Sequence, residues 1–357
     1  MKGFYVFALK RSGYMVLVLF GTLVITLALL GPTFDQVVKS SIRARLIQEA
    51  SENPNLRFLT PDEFDKWVDT QLRIEIHNLG LDEPWYSPKR LYNSVAKVML
   101  LDLGRSTNFQ SSSGSSSVND IIWERLPRTV LLFTTATIIV SVIGLYMGAF
   151  VANRQGSVWD RMNSAFAVFS TSFPTWWIGM LLIFFFAFVI NIFPPQALPQ
   201  LRPSDPYYIV DLLYHMALPL ITLVLTGVGS WAYFVRYFVV GILSEDYIRA
   251  KRTAGIPERR ILYSHALKNA GPPIITSIAL GLAGSFSGAL LTESVFNWPG
   301  MGRLFYDAIG FLDYPIIIGL TYISTVIFII TVFLTDLVYA YLDPRIRVGG
   351  AEGFGAQ

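Results

Sequence analysis

"SEDYIRAKRTAGIPERRILYSHALKNA", residues 244–270, carries six Lys or Arg and three acids. It sits between two apolar runs, each long enough to cross a bilayer, and that alternation decides the fold class. The chain has 357 residues, of which 53% are apolar types and only 15% are charged. Its mean hydropathy is +0.48, and soluble domains carry about 25% charged residues. A predominantly apolar run of about 18 or more residues is a candidate spanning helix. Six such runs occur, at 14–31, 129–152, 164–190, 216–240, 274–296 and 315–340. The expectation is an all-α integral membrane protein. Cysteine is absent, so disulfides, thiolate chemistry and Cys-based metal sites are excluded.

Orientation follows from the basic residues of the short loops. With the N-terminus inside, six crossings return the C-terminus inside. The short cytoplasmic segments then hold Lys2, Lys10, Arg11, Arg154, Arg161, the basic residues of 244–270, Arg345 and Arg347. The two short outer loops hold Arg202 and Arg303, against Asp205, Asp211, Asp307 and Asp313. Lys10 and Arg11 ahead of the first run also suit a signal peptide, but the run is longer than a usual signal core and no Ala-x-Ala site follows it. Residues 33–127 become a long outer region with thirteen acids and eleven bases, a balance that suits a small aqueous domain. Within it, Thr60, Pro61 and Glu63 form a capping box at a helix start, and Gly80 is placed to end that helix. "SSSGSSS" (111–117) reads as a flexible linker.

The 244–270 segment has its own grammar. Ser244 is placed to cap a first helix, with Glu245 and Asp246 in its first turn and Arg249, Lys251 and Arg252 near its end, matching the helix dipole. Gly255 follows as a left-handed terminator. Pro257 opens a second short helix that gathers Ile261, Leu262, Ala266 and Leu267 on one side. Two readings fit these residues equally: an interfacial helix on anionic lipid, or a rigid knob for a cytoplasmic partner.

The spanning segments supply less chemistry. Glu293 and Asp336 lie near segment ends, where a charge is less costly. No central run of carboxylates or histidines suggests the ion coupling of a secondary carrier or channel. His77, His215 and His265 do not make a metal spacing, and phosphate-loop, H-E-x-x-H and G-x-S-x-G motifs are absent. "GLYMG" (Gly144, Gly148) and "GSFSG" (Gly284, Gly288) put paired glycines on one helical face for close packing. Glu293 is expected to anchor the following loop, which holds Asn297, Pro299, Gly300 and Arg303, through hydrogen bonds; a plain helix-end charge in water is the alternative. Small and hydroxylated residues mark a polar path: Ser170, Thr171, Ser172 and Trp176 around Pro174 on the third segment, and Ser277, Ser285 and Ser287 on the fifth. Pro174 frees a carbonyl near Ser170, and such backbone is tolerated at membrane depth where protein or a watery cavity satisfies it. Hydroxyls bonding back to their own helix are the alternative.

"YIRAKRTAGIPERRILYSHALKNAGPPIIT" (247–276) resembles the coupling segment of ATP-binding-cassette importer permeases. Its Arg249, Arg252, Gly255, Arg260, His265, Ala266, Leu267, Asn269 and Ala270 are similar to those of B-subunit permeases of the dipeptide/oligopeptide/nickel group. "DLGRS" (102–106), "ERLPRTVLL" (124–132), "SFPTWWIGMLL" (172–182), "YHMALPLITL" (214–223), Arg236, "ESVFNWPGMGRLFYDAI" (293–309) and "DLVYAYLDPRIR" (336–347) extend the likeness. Lys251 departs from it, standing where that group has a small residue, and the outer region is longer than in many relatives.

The resemblance implies six membrane helices of the type I importer kind and a docking edge for an ATPase made of Tyr247, Arg249, Ala250, Ala254, Gly255, Arg260, His265 and Leu267. It implies a heterodimer with a homologous C-type permease, two cytoplasmic ATP-binding subunits and an extracytoplasmic substrate-binding protein. ATP and Mg would sit on the partners; the chain itself would be no enzyme, would hold no cofactor and would meet no nucleic acid. Peptides or oligosaccharides would be its cargo, and its place the plasma membrane of a bacterium or archaeon. The expected division is 1–32 with the first helix, an outer region 33–127, a core 128–347 and a tail 348–357.

Overall fold

The computed structural model describes residues 2–52, 60–78, 82–286 and 288–342. Gly80, Ser287, Arg345 and Arg347 lie outside them. Among the described residues the chain is helical, with one isolated bridge between Arg105 and Ser117 and no strand. The helices are α1 (Lys2–Glu52), α2 (Pro61–Asn78), α3 (Pro88–Met99), α4 (Val118–Ala152), α5 (Val158–Ser172), α6 (Thr175–Ile183) and α7 (Tyr208–Leu243). They continue with α8 (Asp246–Thr253), α9 (Glu258–Arg260), α10 (Leu267–Asn269), α11 (Gly271–Gly284), α12 (Leu290–Phe296), α13 (Met301–Gly310) and α14 (Tyr314–Leu342). Two π-helical turns, Phe184–Val189 and Ile261–Ala266, extend α6 and join α9 to α10.

Four stretches are long and apolar enough to span a bilayer: Arg11–Thr33, Val118–Ala152, Tyr208–Leu243 and Tyr314–Phe333. The other two expected spans are broken. The third bends by 93° between α5 and α6, because Phe173 and Pro174 take extended backbone and Pro174 starts a new helix instead of kinking the old one. The fifth stops at Gly284 and resumes only at Leu290. Gly284 and Gly288 therefore share no helical face: Gly288 sits in a left-handed turn at φ +69°.

Two compact units divide the chain, one built mainly from Trp123–Asp307 and the other from Leu9–Ile122 with Ala308–Val326. In the first, a Cβ on Gly144 would lie 2.3 Å from the Trp231 ring, and one on Gly148 2.5 Å from the Ala232 carbonyl. The expected glycine pair thus lets α4 approach α7 closely. α5 packs along α7 as well, where Asp160 takes a two-pronged ion pair from Arg236 and a hydrogen bond from the Gly156 N–H at 2.9 Å. His215 is buried and shares Asp211 through its Nδ1, 2.8 Å from the carbonyl and 3.0 Å from the carboxylate, as a structural histidine should.

In the second unit α1 runs on past its apolar part to Glu52, and Ile42 and Leu46 pack against Val68 of α2. Arg45 pairs with Glu75, and Arg90 with Asp35. The capping box forms as read: the Thr60 N–H donates to Glu63 at 2.9 Å and the Glu63 N–H to the Thr60 hydroxyl at 3.4 Å. The Thr60 hydroxyl also donates to the Glu63 carboxylate at 2.8 Å. The two bonds that carboxylate accepts, first from the Thr60 backbone and then from its hydroxyl, hold it below its ordinary pKa. The serine tract is a folded loop and not a bare linker. Gly114 turns it at φ +80°, Ser111 and Ser115 bond across it, and the Ser115 hydroxyl donates to Asp120 at 2.6 Å.

Candidate functional site

The 244–270 segment folds as a helix–turn–helix whose parts follow from its residues. Ser244 does not cap α8. It ends α7, its hydroxyl bonded back to the Val240 carbonyl at 2.9 Å, and Glu245 takes the extended cap position. α8 closes on Gly255 at φ +76°, with the Gly255 N–H donating to the Arg252 carbonyl at 3.0 Å and the Ile256 N–H to the Lys251 carbonyl at 3.1 Å. That pair of bonds is the Schellman termination, and only glycine enters its left-handed position without penalty. Arg252 then reaches across the turn to Glu258 at 2.8 Å, and Asn269 donates to the Tyr247 hydroxyl at 2.6 Å. Two clasps hold the two arms together.

The segment's apolar stripe is buried. Ile248, Ile261, Leu262 and Ala266 are at most 4% exposed and pack with Val235, Val239 and Leu243 of α7 and Ile274 of α11. Ile256 and Leu267 pack against the same cluster. Arg249, Ala250, Ala254, Gly255 and Arg260 stay exposed, and Tyr247 partly so. His265 lies 3.5 Å from the Lys251 ammonium. Partial burial, and then the charges of Lys251, Arg260 and Lys268, push its imidazole below the ordinary histidine pKa. The expected docking residues, Leu267 and the partly buried His265 apart, therefore form one exposed rim on a segment seated on α7 and α11.

The second constellation centres on Glu293, which is fully buried. Its carboxylate accepts from the Thr129 hydroxyl at 3.1 Å, from the Arg303 N–H at 3.1 Å, and from the N–H groups of Gly302 and Ala289. Thr129 in turn accepts from the Met301 N–H at 2.7 Å. The expected anchoring of the loop is present, and the water-exposed alternative is not. A Cβ on Gly300 would lie 2.3 Å from Glu293 Oε2 and 2.4 Å from Thr129 Oγ1, so this glycine is required by space. Asn297 occupies a left-handed cap at φ 58°. Its amide donates to Gln196 at 2.7 Å, while its carbonyl accepts from Arg303 at 3.2 Å. Pro299 follows Trp298, which is buried and donates to the Arg128 carbonyl at 3.1 Å.

The expected path residues separate. Ser170 is buried against Gly229 of α7, its hydroxyl without a hydrogen-bond partner among the described residues. Ser172 is exposed and bonds back to the Val168 carbonyl at 2.7 Å, and Thr171 back-bonds likewise. Trp176 is half-buried at the start of α6. Ser285 is buried and pairs with the Thr134 hydroxyl at 2.8 Å. Ser277 has a different setting. With Thr137, Ser141 and Ser230 it lines a cleft of about 560 Å3 between α4, α7 and α11. The α4 hydroxyls escaped the sequence reading, although Thr137 and Ser141 stand four residues apart, one helical turn, on α4.

Sequence reading also missed Asp313. It is fully buried and accepts from the Ser106 hydroxyl at 2.7 Å and from the Thr107 and Asn108 N–H groups at 3.0 Å each. The acid thus fastens the stretch after "DLGRS" to the start of α14.

Comparison with known proteins places this geometry. Residues 140–348 match the family model described as binding-protein-dependent transport system inner membrane component. The chain is 32% identical over 272 residues to the oligopeptide transport system permease protein AppB of Bacillus subtilis, covering 76% of this chain and 84% of that one. It is 33% identical over 268 residues to the dipeptide transport system permease protein DppB of the same organism, covering 75% and 81%. To DppB of Escherichia coli it is 30% identical over 296 residues, covering 75% and 83%.

Proposed function

The chain belongs to the family of inner membrane components of binding-protein-dependent transport systems, and on that premise we propose that it is the membrane-crossing half of a peptide importer driven by ATP on other subunits. In this reading it crosses the bilayer six times with both termini in the cytoplasm, the bent α5–α6 pair and the interrupted α11–α12 pair each serving as one crossing. A homologous permease completes the passage, two ATP-binding subunits dock below, and an extracytoplasmic binding protein delivers cargo. The names of the relatives favour short peptides over oligosaccharides.

The observation that carries the reading is the glycine-hinged 244–270 segment. Its apolar face is locked to α7 and α11 while its rim of Tyr247, Arg249, Ala250, Ala254, Gly255 and Arg260 stays uncovered, with His265 partly so. Such a body transmits a push into two spanning helices at once. Movement at Gly255 reaches α7 through Ile248, and reaches α11 through Leu267 and Ala270. Above it, the Glu293-held loop serves as the gate, and the hydroxyl-lined cleft with Ser277 joins Ser172 and Trp176 as the path.

The test is reconstitution. Proteoliposomes holding this chain with its partner permease, ATPases and binding protein should take up a radiolabelled di- or oligopeptide only with ATP inside. Uptake that persists without ATPases, or disulfide crosslinks from cysteines at 250 and 254 that never reach an ATPase, would overturn the reading. A cysteine at 277 should react with a water-soluble thiol reagent, and one at 170 should not.

A further inference from the structure

The unit built from Leu9–Ile122 and Ala308–Val326 holds a cavity whose lining residues belong to neither the proposed path nor the proposed docking rim. It measures about 270 Å3 and is walled by Leu27, Leu30, Trp85, Leu91, Val98 and Ile318. A Cβ on Gly31 would lie 2.9 Å from the Trp85 ring, so the indole is pressed against α1 as a fixed wall. Arg90, Ser94, Lys97 and Pro315 border this cavity and also border a larger polar cleft of about 1370 Å3, to which Lys89 and Arg105 contribute. An apolar chamber therefore shares a wall with a cleft that carries charged residues.

Depth and charge say what fits. Leu27 and Leu30 stand in the last turns of the apolar stretch Arg11–Thr33, and Ile318 in the first turns of Tyr314–Phe333. The ends of apolar spans mark where hydrocarbon gives way to headgroups. Around the opening, most charges are already committed. Arg90 is paired with Asp35 and donates to the Glu83 carbonyl at 2.8 Å; Glu83 takes Lys89 at 3.2 Å, and Asp82 takes His77. Among the described residues Lys97 and Arg105 make no ion pair. The larger cleft is lined by Lys89, Arg90, Lys97 and Arg105 against Asp82 and Glu83, so the excess positive charge falls there.

We propose that this two-chambered cavity binds a phospholipid, one acyl chain lying against Trp85 and Leu91 and the phosphate meeting Lys97 and Arg105. A free peptide would have to carry its charged ends to the boundary of the hydrocarbon, whereas a lipid arrives there already oriented. The site serves to tie the outer ends of α1 and α14 to α3 through a bound bilayer molecule.

The experiment uses the full chain in lipid nanodiscs with two probes that share a diazirine-bearing acyl chain, phosphatidylglycerol and phosphate-free diacylglycerol, and maps the labelled peptides by mass spectrometry. Phosphatidylglycerol should label the peptides holding Leu27–Gly31 and Leu91–Val98. Lys97→Glu should cut that labelling by more than about fivefold, the ratio that loss of ~1 kcal/mol for one surface cation gives before the added anion is counted, and should leave the weaker diacylglycerol labelling unchanged. Ser94→Trp, which fills the opening, should abolish labelling; because Lys97 is exposed, the charge variant still decides the matter if the filled variant misfolds. Equal labelling by both probes, no response to Lys97→Glu, or labels confined to other peptides would overturn the proposal.

Discussion

The 244–270 hinge and the loop after Glu293 end a helix in the same way and live in opposite surroundings. At the hinge, Gly255 and Ile256 bond back to Arg252 and Lys251; at the loop, Asn297 and Trp298 bond back to Ser294 and Glu293 at 3.1 and 2.8 Å. Among the described residues nothing stands within 4 Å of where a Cβ on Gly255 would go. Around Gly300 the buried carboxylate and Thr129 fill that space. One termination is held by backbone bonds and by clasps at its outer side and leaves the space beside its glycine open, which fits the docking role proposed for it. The other is held from within by a buried carboxyl group whose donors come from α4, the stretch before α12 and the loop itself, which fits the gate role proposed for it.

The contrast breaks most visibly at the loop. Glu293→Ala leaves the N–H groups of Gly302 and Arg303 and the Thr129 hydroxyl buried without their acceptor, at about 1–3 kcal/mol for each donor stranded. Gly300→Ala forces its methyl onto Glu293 and Thr129 and should act in the same direction. Both variants should lower the thermal unfolding midpoint strongly and open 297–303 to protease, whereas Glu293→Gln, which keeps an acceptor oxygen, should retain much of the midpoint. An unchanged midpoint in Glu293→Ala would remove the lock from the argument.

Next in size is the apolar seat of the hinge. Ile261 is fully buried between α7 and α11 residues, and Ile→Ala at such a site costs about 2–5 kcal/mol. Ile261→Ala should loosen the segment, raising amide exchange across 258–269, and should lower uptake. Equal exchange in variant and parent would show that the stripe is not what seats the segment.

Gly255→Val should cost less stability, about 1–2 kcal/mol for a side chain held left-handed, because no neighbour is displaced. Its larger effect should be functional: the complex still assembles in the membrane, while ATP hydrolysis no longer drives uptake. Swapping the two glycine lessons sharpens the comparison. Gly255→Asn should be nearly silent in stability, since asparagine tolerates this backbone, and Gly300→Asn should not be tolerated. If both positions respond alike, the distinction between an open and a filled turn is wrong.

These two regions also show what was legible in the sequence. The hinge could be read because its signals are local: Gly after a basic last turn, Pro at the restart, apolar residues at helical spacing. Even there Ser244 misled, because a serine at a junction can close the helix before it as readily as open the one after it. Glu293 was legible as a costly carboxylate near a span end, but Thr129, its partner 164 residues away, carries no local mark. The 93° bend at Pro174 and the break after Gly284 were invisible to apolar run length, which measures composition and not continuity of the backbone. Asp313 looked like one more loop acid; only the chain's return brings Ser106, Thr107 and Asn108 to it.

The smallest expected effect tests the openness of the hinge directly. His265 faces Lys251 at 3.5 Å, with Arg260 and Lys268 nearby. Its imidazole is held below the ordinary value first by partial burial and then by those cations. The folded state therefore prefers neutral His265, and the stability this contributes is present above the unfolded histidine pKa, near 6.5, and fades as pH falls through the lower folded value. The chain has three histidines, so their ring protons can be followed one by one in labelled protein, with His265→Gln assigning the signal. Its titration should lie below that of a free histidine. Lys251→Ala should raise it part of the way, because burial is the larger cause and stays in place. A full return to the free value would make Lys251 the dominant influence and the site more open than the packing implies. No movement at all would place the ammonium away from the ring and remove the Lys251–His265 contact from the segment.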